Sequence, residues 1–168
     1  MKIRNMTRCA VLAALMAVCA WISVPLGNQA VSLQTFAVFL TLGLLGGKGG
    51  TATVLVYLLL GAAGLPVFTG FRGGIGALLG PTGGYLWGFL ASCLLYWVLE
   101  NRLPHWIVMV LSLLLCYACG TAWYFFLYAS GASVWAILGT CVVPYLVPDG
   151  IKLFLALTLT KRLKALMV

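Results

Sequence analysis

Acidic residues are almost missing from this chain: among 168 residues only Glu100 and Asp149 carry a side-chain carboxylate, and His105 is the one histidine. His105 has no histidine or second carboxylate partner and sits beside Pro104, so no metal or catalytic role is expected of it. Long polar stretches are missing as well. Charged residues make up 7% of the sequence and apolar ones 64%, with a mean hydropathy of +1.13. Water is not the solvent for which such a surface is chosen. What the sequence does have is long apolar runs with short breaks, the pattern of an all-α integral membrane protein forming a single domain over residues 1–168.

The net charge of +8 would point to nucleic acid in a soluble protein, but here the basic residues sit at the edges of apolar segments. Membrane topology accounts for them better, and no nucleic-acid partner is expected. The six cysteines lie almost entirely within apolar runs, where cysteine packs as a small hydrophobe. Cys116 and Cys119 form a C-x-x-C without a second pair, which argues against zinc, and no cofactor is expected. "LGLLGGKGGT" around Lys48 imitates a phosphate loop, but Leu42 stands where the first glycine belongs and Gly49 where Ser or Thr belongs. No nucleophile, base and orienting group can be assembled, so the chain is not read as an enzyme.

Six apolar segments can be drawn, approximately 8–26, 33–46, 50–65, 82–99, 104–129 and 133–160. The breaks hold Pro25 to Asn28, Gly46 to Gly50, the glycine-rich stretch 64–84, Asn101 to Pro104, and Ser130-Gly131. The second and third segments fall short of the roughly 20 residues that a spanning helix needs, so tilt, partial re-entry or shielding by neighbours is expected of them. The N-terminal segment, with Lys2, Arg4 and Arg8 ahead of its apolar run, reads as a retained first helix rather than a cleaved signal. If the chain crosses six times, Lys2, Arg4, Arg8, Lys48, Arg102, Lys161, Arg162 and Lys164 fall on one side and Arg72 on the other. That bias predicts six transmembrane helices in the cell membrane, both termini cytoplasmic, and a glycine-rich extracellular loop between helices 3 and 4. The tryptophans at 21, 87, 97, 106, 123 and 135 mostly lie near the ends of these segments, as headgroup anchors do.

Asp149 and Lys152 break the last apolar segment. Asp149 lies 12 residues before Lys161, about 18 Å along a helix, and a charge at such depth is expensive unless paired or facing a polar cavity. Their i, i+3 spacing puts both on one helix face. Pro144, Pro148 and Gly150 predict a kink or restart near Pro148, which would set Asp149 in the first turn of an inner half-helix. Such interrupted helices offer free backbone groups to polar solutes.

The stretch "GLPVFTGFRGGIGALLGPTGGYLWGF" (64–89) is too long for a tight hairpin, yet it keeps Leu65, Val67, Phe68, Phe71, Ile75, Leu78 and Leu79. A folded loop acting as a lid is predicted, with Arg72 placed to meet a ligand carboxylate or to stay solvated. Gly76, Gly80, Gly84 and Gly88, extended by Ser92, recur every fourth residue and let helices approach closely. Pro81 divides them, the first two serving the loop and the later ones the fourth span. Ala10/Ala14 and Ala13/Ala17 repeat that logic on the first span, where spacing leaves internal packing and a partner helix equally open. In "VSLQTFAVF" (31–39), Gln34 and Thr35 either cap the second span or face a cavity.

Taken together, residues 33–89 and "PYLVPDGIK" (144–152), with "LPVF" and "GPTGGY" in that order, closely resemble the BioY family, the biotin-binding substrate-capture (S) components of energy-coupling factor (ECF) transporters. The resemblance implies a six-helix subunit that captures biotin, the transported ligand, from outside with high affinity. It implies a transmembrane coupling protein and two cytoplasmic ATPase subunits as partners, with the first helix, Ala10, Ala13, Ala14 and Ala17, meeting the coupling protein. It also implies Asp149 and Lys152 on the ureido group, Phe68, Phe71, Tyr85 and Trp87 against the ring and tail, and Gln34 and Arg72 as further contacts.

Overall fold

The computed structural model describes residues 3–26, 29–129 and 133–166. Helix α1 (Ile3–Trp21) leads into a two-stranded antiparallel hairpin, β1 (Ser23–Leu26) and β2 (Gln29–Ser32), in which Ser23 pairs with Ser32 and Val24 with Val31. Then follow α2 (Gln34–Ala62), the short α3 (Ile75–Leu79), α4 (Gly83–Leu99), α5 (His105–Tyr128), α6 (Val134–Cys141) and α7 (Val143–Leu166). The hairpin corrects a wholly helical expectation. The first apolar run does not stay helical to residue 26, because Val24 precedes a proline and is steered to extended backbone.

Helix α2 is two helices joined at Gly46, whose φ of 71° lies in the left-handed region that glycine reaches without cost. A straight helix would hold Gln34 and Tyr57 about 35 Å apart at 1.5 Å per residue. Instead Gln34 Nε2 donates to Tyr57 OH at 2.8 Å, so the two halves fold back on each other. The break is narrower than the glycine cluster suggests: residues 47–50 are already helical. Glu100 stabilises the turn by accepting from the Gly47 amide at 2.7 Å, a charged acceptor on an amide left without a helical partner.

α2 occupies the centre, packed against α1, α4 and α7, while α4 lies along α5. Val38, Leu42, Val54 and Tyr57 of α2 are fully buried with Met16 of α1 and Val108 and Met109 of α5. The α4–α5 seam uses the small residues anticipated from their spacing. A Cβ on Gly84 would stand 2.2 Å from Trp123 Cβ, and one on Gly88 3.1 Å from the Cys116 carbonyl. One turn on, Ser92 Oγ donates to the Ser112 carbonyl at 2.6 Å and Ser112 Oγ to the Ser92 carbonyl at 3.2 Å.

The last apolar run breaks at Val142, between α6 and α7, not near Pro148. Pro148 is inside α7 and Asp149 is therefore nearly two turns from its start, away from any helix N-terminus. Pro144 occupies the first turn, where a missing amide is tolerated. By length and composition, α1, α2, α5 and the stretch Trp135–Ala165 can cross a membrane, and Gly83–Leu99 is a shorter apolar helix.

The alanines of α1 divide by face. Ala13 and Ala17 are buried inside the bundle at 3% and 7% exposure, which corrects the assignment of these two to a partner surface. Ala10 and Ala14 are exposed.

Candidate ligand-binding site

Four parts of the chain converge on one cavity of about 750 Å³, within the range of small-molecule pockets: the β hairpin and start of α2, the loop 63–82 with α3, the first turns of α4, and α5 with α7. At its wall Lys152 Nζ lies 2.7 Å from Asp149 Oδ1, and both side chains are buried. The pair is held from three further elements. Thr35 Oγ1, in the first turn of α2, donates to Asp149 Oδ1 at 2.9 Å, and Tyr117 OH of α5 donates to Oδ2 at 2.7 Å. Lys152 Nζ also donates to the Ser32 carbonyl of β2 at 2.7 Å. Three donors therefore satisfy the carboxylate oxygens, and a backbone acceptor and the carboxylate share the Lys152 amino group.

A second network braces the wall around Gln34. Gln34 Nε2 donates to Tyr57 OH, which in turn donates to the Val67 carbonyl at 2.8 Å, while Thr69 Oγ1 donates to Gln34 Oε1 at 3.3 Å. The chain ties α2 to the loop carrying Phe68, which is 3% exposed with its ring 5.5 Å from that of Tyr57. Gly61 makes room for this ring: a Cβ there would lie 2.0 Å from Phe68 Cζ. The loop is latched from outside as well. Trp21 Nε1 donates to the Pro66 carbonyl at 2.7 Å and the indole stacks on Phe71 with centroids 5.1 Å apart.

Of the residues singled out in the sequence, Asp149, Lys152, Tyr85, Phe68, Arg72 and Gln34 all line the cavity. Arg72 is exposed at the edge, and the Tyr85 hydroxyl donates to the Cys141 carbonyl at 2.9 Å, just before the α6–α7 break. Trp87 is not brought to the site: it is 43% exposed and does not line the cavity. Two residues along a helix turn a side chain about 200° away, so Tyr85 and Trp87 cannot face the same void. By sequence Thr35 is equally a cap or a cavity residue, and nothing local marks Tyr145 or the Ser32 carbonyl as site groups. A signal for Tyr117 does exist in "CYACG": a tyrosine within an apolar run has to find a hydrogen-bond partner when buried.

Apolar helices around an enclosed ion pair define a multi-pass membrane protein with a cavity sized for a small solute. Its family model is BioY: that model matches residues 1–168, and the chain belongs to the BioY family. The chain is 40% identical over 169 residues to the biotin transporter BioY of Thermotoga maritima, covering 98% of both proteins. It is 37% identical over 164 residues to the probable biotin transporter BioY of Pyrococcus horikoshii, again over 98% of both. Among solved structures it matches the S component for biotin of an ECF-type ABC transporter with a TM-score of 0.87 and 28% identity, over 98% of this chain and 92% of the other. A bacterial ECF transporter S component at 12% identity, with a TM-score of 0.65 over 99% of each chain, shares the fold.

Proposed function

We propose that this protein captures biotin at high affinity as the substrate-specific subunit of an ECF-type transporter and serves its uptake across the cytoplasmic membrane. The observation that carries the reading is the buried Asp149–Lys152 pair on the wall of a solute-sized cavity, in a chain of the BioY family. Asp149 suits a ureido N–H, and Lys152 suits the ureido carbonyl while balancing the carboxylate. Phe68 and Tyr85 supply flat apolar surface for the bicyclic ring. Arg72, exposed at the cavity edge, complements the carboxylate of the aliphatic tail, and Gln34 orders the wall between them.

The membrane arrangement follows the same reading. One domain spans the chain and crosses six times, through α1, the two halves of α2, α4, α5, and α6 with α7. The basic ends face the cytoplasm, and the loop 63–82 faces outward as a lid. A transmembrane coupling protein and two cytoplasmic ATPase subunits are the partners, with the outward face of Ala10 and Ala14 on α1 as the contact.

Isothermal titration of the purified protein tests the substrate. Tight binding of biotin with none of thiamin or riboflavin is expected; a folded, monodisperse sample that ignores biotin would sink the proposal.

A further inference from the structure

Tyr145 stands apart from the other polar side chains of the cavity. It lines the same void, is 9% exposed, and its hydroxyl is buried with no hydrogen-bond partner among the described residues. The neighbouring hydroxyls are engaged: Tyr117 on Asp149, Tyr85 on the Cys141 carbonyl, Thr35 on Asp149. A buried hydroxyl without a partner is destabilising by about 1–3 kcal/mol, a cost retained in the empty protein unless something that enters the cavity relieves it. Tyr145, Asp149 and Lys152 follow one another at i, i+4 and i+7 on α7, which is one face of that helix.

The bonding capacity of Asp149 says what that hydroxyl is for. A carboxylate offers about four acceptor positions. Thr35, Lys152 and Tyr117 occupy three of them, leaving one for an incoming donor. A cyclic urea brings two N–H groups that point away from each other, so Asp149 alone leaves the second unpaired. Lys152 is a donor only and cannot take it. We infer that the Tyr145 hydroxyl accepts the second ureido N–H of the ligand, so that Asp149 and Tyr145 together read the two ends of the urea. The inference rests on the biotin reading above and adds a specificity-determining residue to it. A ligand that presents only one N–H on this face leaves one of the two acceptors unpaired.

The test measures wild type and Tyr145→Phe in detergent, each by titration with biotin and with desthiobiotin, and records the melting temperature without ligand. The expected result is an affinity about tenfold or more weaker in Tyr145→Phe for both ligands, since desthiobiotin keeps both N–H groups and lacks only the sulfur. The ligand-free melting temperature should stay equal or rise, because the variant removes no hydrogen bond within the described protein. A fall in melting temperature with unchanged affinity would make Tyr145 a packing residue and overturn the inference. Weakening for biotin but not for desthiobiotin would assign the hydroxyl to the sulfur side and overturn it too. Loss of both affinity and melting temperature would make Tyr145 a structural residue and overturn the inference. Wild type that binds neither ligand refutes the biotin reading itself, whereas tight wild-type binding with an unaffected variant refutes the role of Tyr145 alone.

Discussion

Asp149 is the residue on which most of the site depends, since Thr35, Tyr117 and Lys152 all donate to it. Removing one charge of a buried pair leaves the other uncompensated, at a cost of about 3–5 kcal/mol, whereas replacing both with apolar groups is often neutral. Asp149→Asn should therefore melt earlier and bind biotin at least about 100-fold more weakly, a loss near 3 kcal/mol at 1.36 kcal/mol per decade. Adding Lys152→Met should return the melting temperature without returning binding. Wild-type affinity in the double variant would make the pair purely structural. Asp149 and Lys152 were legible because a charge inside an apolar run has to be explained. Thr35 and Tyr117 were not, since their polar groups become site groups only through contacts 114 and 32 residues away along the chain.

Among the elements, α4 and α5 carry Tyr85 and Tyr117 to the cavity, and their separation is set by glycines. A methyl on Gly84 would meet Trp123 Cβ at 2.2 Å, whereas one on Gly139 of α6 would meet nothing within 4 Å. Gly84→Ala should force the helices apart, at about 1–3 kcal/mol by analogy with overpacked cores. Gly139→Ala should be neutral or slightly stabilising, because alanine favours helix. Equal melting temperatures for the two variants would show that close α4–α5 approach is not what Gly84 provides. Element spacing was readable for the Gly84/Gly88/Ser92 stripe because a four-residue repeat is local. The break in the last apolar run was misplaced for a physical reason: a proline inside a helix deletes one hydrogen bond, and packing can hold the helix through it.

For the whole molecule, the buried and exposed ends make a claim about orientation. Ile75 at the loop end is 62% exposed, and Arg102 lies in the exposed turn between α4 and α5. In intact cells, a membrane-impermeant maleimide should label Ile75→Cys directly and Arg102→Cys only after permeabilisation, against the background of the native cysteines. The reverse pattern would invert the proposed topology.

The sequence by itself determined the solvent and the segments: composition sets the membrane, glycine and proline set most of the breaks, and the misplaced charges mark Asp149 and Lys152. These are local properties, carried by a residue type and its neighbours. Tertiary structure alone decided that α2 doubles back at Gly46 to bring Gln34 to Tyr57, that Trp87 turns away while Tyr85 turns in, and that Ala13 and Ala17 are buried while Ala10 and Ala14 are not. Each of these depends on which face of a helix meets which neighbour. Apolar residues all around a membrane helix leave that choice to packing, because lipid and protein interior are alike to them.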